Sequence, residues 1–396
     1  MNILFVTPAV PFPTTDGARL VVAQLARELS KRHSLYLATF AASEANDAEL
    51  ARYFAKRCLV PRTVVPKWRK WAASLFDELP LAVRACDSDA LRAAIRELVA
   101  REKIDLVHLD TGLMAPYIKC VTPLPTLLAP HDCLTHALLQ ARARAPSALE
   151  RTAARLQAPK MRRYEASAYA RATRIVVVSE REKQLVQELD PTLCARVIAN
   201  GVDTDYFAPR PELEKEFQIG FHGVMNYVPN QAAALYFARQ VMPLVWDKLP
   251  QATFTIIGRD PSRAVRALGR DSRIRVTGTV ADVRPHLAAS SVMVVPMLDA
   301  GGIKSKMLEA MAMGKAVVAS PEAADGIDAR AGEDFVAARD AGEFARVCVN
   351  LLGDSTERVR FEKNARAWAL QHTWTNTARE YEKLYCEAMT LETRKE

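Results

Sequence analysis

The stretch Gly301-Gly302-Ile303-Lys304-Ser305-Lys306-Met307-Leu308-Glu309-Ala310-Met311-Ala312-Met313-Gly314 holds the side chains best suited to chemistry. Ile303, Met307, Leu308 and Met311 fall on one face at helical spacing. Gly314 stands where a helix C-cap glycine belongs. Lys304 and Lys306 lie in the first turn, where the helix dipole disfavours cations. Free backbone N–H groups behind a glycine turn, joined by two lysines, make a place for an anion. Glu309, about one and a half turns further on, can accept hydroxyl hydrogens from a ribose. A diphosphate beside a ribose is the handle of a nucleotide-sugar. On spacing alone a plain packing helix is the alternative, but packing does not choose the two cations.

Other residues can take part. In the first strand-to-helix loop, Asp16-Gly17 precedes a helical stripe, and Asp16 is a natural N-cap. The loop lacks G-x-G-x-x-G, so a dinucleotide site is not supported. His131-Asp132 follows the strand at 126–129 and so sits at a strand C-terminus. His131 can orient an acceptor or donate to a donor sugar. Asp132 can fix its tautomer or bind a hydroxyl, and Asp16 and Asp132 are placed on the acceptor side. His108, inside a strand, is read as structural, and Glu165 as an ion-pair partner. Gly201 is read as a turn glycine with positive φ.

The elements that must carry these residues alternate strand and helix in two series. The first runs through strands at 3–6, 35–40, 106–109, 126–129, 175–178 and 197–198, with a helical stripe at Ala18, Val21, Val22, Leu25 and Leu29. The second has strands at 219–223, 254–258, 274–278, 293–296, 316–320 and 335–336, and a helix over 230–246. Such alternation indicates parallel βαβ units, with strand C-termini at the binding edge. A linker is expected over 203–216, and Trp368, Trp374, Tyr381 and Tyr385 anchor a helical C-terminus.

At 396 residues the chain suits about two domains. No apolar run approaches the length of a membrane span, and no signal peptide is apparent, so a cytoplasmic protein is expected. The seven cysteines are scattered without C-x-x-C, which argues for free thiols. No His/Cys cluster has ligand spacing and the chain is read as lacking an Asp-x-Asp motif, so no metal is expected. Net charge is +8, with nine basic residues between Arg142 and Arg174. That excess suits an anionic acceptor or an anionic membrane surface. Nucleic acid is ranked below both, since no nucleic-acid-binding motif accompanies the charge. Residues 67–76 mix Lys67, Arg69 and Lys70 with Trp68 and Trp71, the composition of an interfacial helix or of tryptophans packed inward.

The Leu308-Glu309-Ala310-Met311-Ala312 run resembles the donor-site signature of the retaining GT-B glycosyltransferases of family 4, also called glycosyl transferases group 1. The G-G-I-K-x-K-x-L-E-A-M-A form looks most like a bacterial subgroup associated with exopolysaccharide export. The resemblance implies a GT-B α/β fold: two facing Rossmann-like doubly wound domains, at 1–205 and 206–365, with a C-terminal helix at 366–396 packing back on the first. It implies that Glu309 holds the nucleotide's ribose and that Gly17 approaches the diphosphate. Gly223 ends the strand where the family's diphosphate clamp begins, and Gly278 and Val280 lie in its base-binding loop. Gly302, Ile303, Lys304, Ser305 and Lys306 complete the donor contacts. The chain departs from the pattern twice. Gly301 replaces the family's first glutamate, and Met225 stands where a clamping arginine is usual. Lys304 and Lys306 are expected to supply the missing charge.

The function expected is transfer of a sugar, with retention, from a nucleoside diphosphate sugar (UDP or GDP) to a hydroxyl of a glycan or lipid-linked acceptor in bacterial polysaccharide synthesis. His131, Lys304 and Lys306 are the catalytic candidates. Beyond the co-substrate no cofactor is expected, and peripheral contact with the inner membrane face is. A nucleotide-sugar 2-epimerase and an inactive sugar-binding protein of the same fold are the alternatives.

Overall fold

The structure, a computed structural model, describes residues 1–14, 17–41, 47–62, 78–144, 147–298 and 305–392. Two compact units divide the chain: Met1–Ala199 together with the chain from Thr377 on, and Asn200–Asn376.

The first unit is built on β1 (Asn2–Thr7), β2 (Ser34–Ala41), β3 (Lys56–Pro61), β4 (Leu106–Asp110), β5 (Thr126–His131), β6 (Arg174–Val177) and β7 (Ala195–Val197). Their order is β3-β2-β1-β4-β5-β6-β7, and every pairing is parallel. Strands covered on both faces must be apolar throughout. Ile3, Leu4, Phe5 and Val6 of β1 are accordingly all fully buried. The Gly17–Leu29 helix buries Val21, Val22, Leu25 and Leu29 on one side. Strand β3 was not among the expected strands. Its first residues, Lys56 and Arg57, lie towards solvent at the sheet edge, so no apolar run announces it.

The second unit has β8 (Lys215–His222), β9 (Thr253–Ile257), β10 (Ile274–Val276), β11 (Ser290–Val295), β12 (Ala316–Ala319) and β13 (Val336–Ala337), in the order β10-β9-β8-β11-β12-β13, again parallel. The order reverses between β1 and β4 in one sheet and between β8 and β11 in the other. Ligands of such sheets bind beyond the strand C-termini at that reversal.

The expected helix over 230–246 is present but widens to a π-turn at Phe237–Val241. Pro243 lies just beyond it, and a proline has no N–H for the regular ladder and crowds the preceding turn. Gly314 has φ +66° and closes the Ser305–Ala312 helix as expected. Its N–H reaches Met311 O at 2.9 Å and that of Lys315 reaches Ala310 O at 3.1 Å, a Schellman ending. Arg366 then donates to Ala312 O at 2.6 Å and to Thr204 O and Phe207 O, tying the linker to this helix end.

Gly201 is corrected. It is not among the positive-φ glycines; instead a Cβ there would lie 2.4 Å from Trp374 N. Close approach of backbone, not turn handedness, demands glycine. The Trp374–Glu392 helix reaches the first unit, where Tyr381 and Tyr385 are buried. Glu382 takes hydrogen bonds from Arg32 at 2.7 Å and pairs with His33 at 2.8 Å. No helix among the described residues is long and apolar enough to cross a membrane. Residues 67–76 lie outside the described residues.

Candidate functional site

In the second unit, candidate residues gather where β8 ends beside the start of the Ser305–Ala312 helix. Gly223 has φ +155° and follows His222 directly. A Cβ on Gly223 would lie 2.7 Å from Asn230 Nδ2 and 3.4 Å from Lys306 Cε. A Cβ on neighbouring Gly258 would lie 1.8 Å from Gly223 O. Side chains are thus sterically excluded, and the Lys306 stem crosses the turn. Lys306 is half-buried there. Ser305 is the first residue of the Ser305–Ala312 helix. Gly302, Ile303 and Lys304 lie outside the described residues.

Glu309 is held in this cluster. Its Oε2 stands 3.6 Å from Nδ1 of buried His222, whose Nε2 donates to Lys306 O at 3.1 Å. Burial, helped by the charge of Lys306, lowers the His222 pKa to about 4, so the ring is neutral near pH 7. Burial pushes the Glu309 carboxyl up to about 7, with Lys306 pulling the other way. The close contact is therefore not an ion pair at neutral pH. Asn230 is also buried here; its Nδ2 donates to Val224 O at 3.0 Å, while Oδ1 has no partner among the described residues. His222 and Asn230 went unnoticed in the sequence. Gly278, with φ +67°, follows β10, and Val280 packs against the second unit's core.

In the first unit, His131 ends β5 with φ +64°, and Asp132 N reaches Pro130 O at 2.8 Å. That is a three-residue turn around a left-handed non-glycine, a strained geometry. The His131 Nε2 meets Asp110 Oδ1 at 2.6 Å. Register places Asp110 opposite Ala129, two residues before the histidine. Burial opposes the imidazolium, but the Asp110 charge and hydrogen bond outweigh it and raise the His131 pKa above its ordinary 6.5. Asp110, not the exposed Asp132, thus fixes the ring, a correction to the expected partner. With Nε2 engaged by Asp110, Nδ1 is the remaining ring nitrogen.

His108 is structural as expected: fully buried, stacked on Phe5 at 4.6 Å and bonded to Tyr385 Oη at 2.7 Å. Burial, with the nearby His131, lowers its pKa to about 3.

Glu165 is corrected too. It is fully buried and accepts from Leu134 N at 2.8 Å, Thr135 N at 2.9 Å and Tyr169 Oη at 3.0 Å. Buried Glu182 accepts from Cys133 N at 2.7 Å. Two carboxylates thereby satisfy the free N–H groups at the start of the Leu134–Arg144 helix, just after the His131 turn. Glu165→Ala strands several buried donors at once. We expect it to destabilise the protein by about 3 kcal/mol or more, read as a lower denaturant midpoint; Glu165→Gln, which keeps one acceptor oxygen, should lose less.

Gly17 opens the first helix, and a Cβ there would meet nothing within 4 Å. Asp16 lies outside the described residues. The expected lack of an Asp-x-Asp motif is corrected: such triplets stand at Asp87-Ser88-Asp89 and Asp203-Thr204-Asp205. Asp87 and Asp89 pair with Arg92, and Asp203 accepts from Tyr206 N at 2.9 Å. Among the described residues no three His, Cys, Asp or Glu are grouped to hold a metal ion.

Comparison with known proteins decides the family. Residues 15–206 match Glycosyltransferase Family 4, and residues 216–354 match Glycosyl transferases group 1. The chain is a GT-B glycosyltransferase. Solved structures share the transferase's fold across nearly its whole length. HepE of Anabaena, solved with UDP and glucose, is 17% identical, with 98% of this chain and 100% of that chain covered and a TM-score of 0.68. Sucrose-phosphate synthase of Thermosynechococcus elongatus is 15% identical, with 99% and 100% covered and a TM-score of 0.74. No curated protein matches the transferase in sequence.

Proposed function

We propose that the transferase moves a sugar from a nucleoside diphosphate sugar to a hydroxyl acceptor, with the donor held by the cluster at the end of β8. The observation that carries this reading is the meeting of Gly223, Lys306 and Glu309 at the sheet's reversal point. The glycine turn lets a diphosphate approach, Lys306 supplies positive charge, and Glu309 accepts ribose hydroxyls. HepE, which has the same fold, binds UDP and UDP-glucose, and UDP- or GDP-sugars are the first donors to test.

The reaction we infer is a front-face displacement with retention. The bond from the anomeric carbon to the diphosphate oxygen breaks, the acceptor oxygen bonds on the same face, and the acceptor proton passes to the leaving diphosphate. Gly301 leaves no carboxylate at the family's first glutamate position to act as a nucleophile. Lys306, with Lys304, would stabilise the leaving group, and His131 Nδ1 would contact donor sugar or acceptor. Gly17, Gly278 and Val280 complete the donor contacts in this reading, and Asp16 and Asp132 the acceptor side. The acceptor is a glycan or a lipid-linked sugar in polysaccharide synthesis. Exposed Arg151, Arg155, Leu156, Arg162 and Arg163 on one long helix favour an anionic membrane surface near it.

Thermal-shift screening of UDP-, GDP-, ADP- and TDP-sugars tests the donor class. A true donor at about 100 times its Kd adds about 2.7 kcal/mol; no shift with any of them would refute the reading. We further expect turnover to survive excess EDTA, because Lys304 and Lys306 are read as taking the place of a metal ion at the leaving diphosphate. Loss of turnover restored by Mg²⁺ or Mn²⁺ would overturn that.

A further inference from the structure

We propose that His222 and Glu309 share one proton across the donor site, and that binding of a nucleotide-sugar expels this proton to solvent. The inference rests on the donor reading of Glu309 and deepens it.

A carbonyl can only accept, so His222 Nε2 carries the hydrogen that meets Lys306 O at 3.1 Å. In the neutral ring Nδ1 is then bare, and it lies 3.6 Å from Glu309 Oε2. A bare nitrogen facing an ionised carboxylate sets two acceptors against each other. One proton between them removes the conflict. It resides on Glu309, because burial and Lys306 both oppose a charged His222. Burial likewise favours the neutral carboxyl, which titrates near neutrality.

No other described group takes over this balance. Lys306 is the charged neighbour on the same helix. Strands β11 and β12, packed on that helix, contain no titratable side chain. From the Ser355–Gln371 helix, Arg366 is committed to Ala312 O, while Arg358 and Glu362 lie with Glu214 and Lys315.

A ribose changes the preference. Its two hydroxyls are donors, and an ionised carboxylate accepts both, whereas a protonated one competes as a donor itself. Binding therefore selects the carboxylate and releases the proton. Affinity is then full above about pH 7 and falls about tenfold per pH unit below it.

The test is isothermal titration of the full chain with UDP-glucose, GDP-glucose and ADP-glucose in two buffers of different ionisation enthalpy. These diphosphate diesters do not titrate in this range, so released protons come from the protein. At about pH 6 we expect about one proton released per nucleotide-sugar bound, and at about pH 8.5 less than a third of one. E309Q should bind more weakly and release none. H222Q keeps a donor towards Lys306 O but lacks the Nδ1 acceptor, and its release at about pH 6.5 should fall by at least half. Binding whose enthalpy is the same in both buffers at every pH overturns proton coupling and leaves the donor reading standing. Wild-type release in H222Q overturns the part given to His222. Failure of all three sugars to bind at any pH removes the donor reading and this inference with it.

Discussion

Replacing Lys306 by methionine is expected to lower kcat by about 10²-fold or more, with a smaller change in KM. Methionine keeps the length and apolar bulk that pack over Gly223 but removes the charge. Negative charge grows on the diphosphate as the glycosidic bond breaks, so a cation there acts more on the transition state than on the ground state. Lys306 is close enough to the site to lower the pKa values of both His222 and Glu309. Its loss should therefore also move donor binding to higher pH, since Glu309 then holds its proton more firmly. Lys304, the other lysine candidate of the sequence, should be replaced in parallel. Steady-state kinetics decide: near-wild-type kcat in both single variants would mean that neither lysine meets the leaving group.

The second large effect is expected at Asp110. Asp110→Asn removes the carboxylate that holds His131 Nε2 at 2.6 Å and raises its pKa. An asparagine amide can also present a donor to Nε2 and so select the wrong tautomer. We expect kcat/KM to fall by about 10²-fold or more, within the range for a positioned acid or base. The pH profile supplies the readout that a folding defect would not. If the imidazolium form donates to the substrate, the alkaline limb of kcat/KM lies above 6.5 in the wild type and moves down in the variant. Stability has the same sign: a raised histidine pKa contributes stability at low pH that is lost as pH rises through the folded value. An unchanged profile with unchanged kcat/KM would place His131 outside the chemistry.

Much of this architecture is legible in the chain because buried parallel strands must be apolar. Every expected strand is present, and the one missed, β3, is an edge strand beginning with two charged residues. The Ser305–Ala312 helix is legible because its apolar face and Gly314 are local in sequence. Asp110, His222 and Asn230 are not legible. Asp110 meets His131 only through the register of β4 on β5, and His222 meets Glu309 only because the helix after β11 packs beside the end of β8. Glu165 misleads for a related reason. On a helix rich in arginine a glutamate reads as an ion-pair partner, yet its neighbours are backbone N–H groups of another helix. Charge patterns report what lies on one element; caps and clamps are made between elements.

The central claim is that Glu309 holds the ribose of a nucleotide-sugar donor, and titration of Glu309→Ala tests it most directly. The protein should fold, since burial already disfavours the charged carboxyl and alanine removes that cost. Its affinity for the donor sugar nucleotide at about pH 8, where the wild type is ionised, should weaken by roughly 1.5–3 kcal/mol, the range for charge-assisted hydrogen bonds. A folded Glu309→Ala protein that binds the donor as tightly as the wild type would contradict the account.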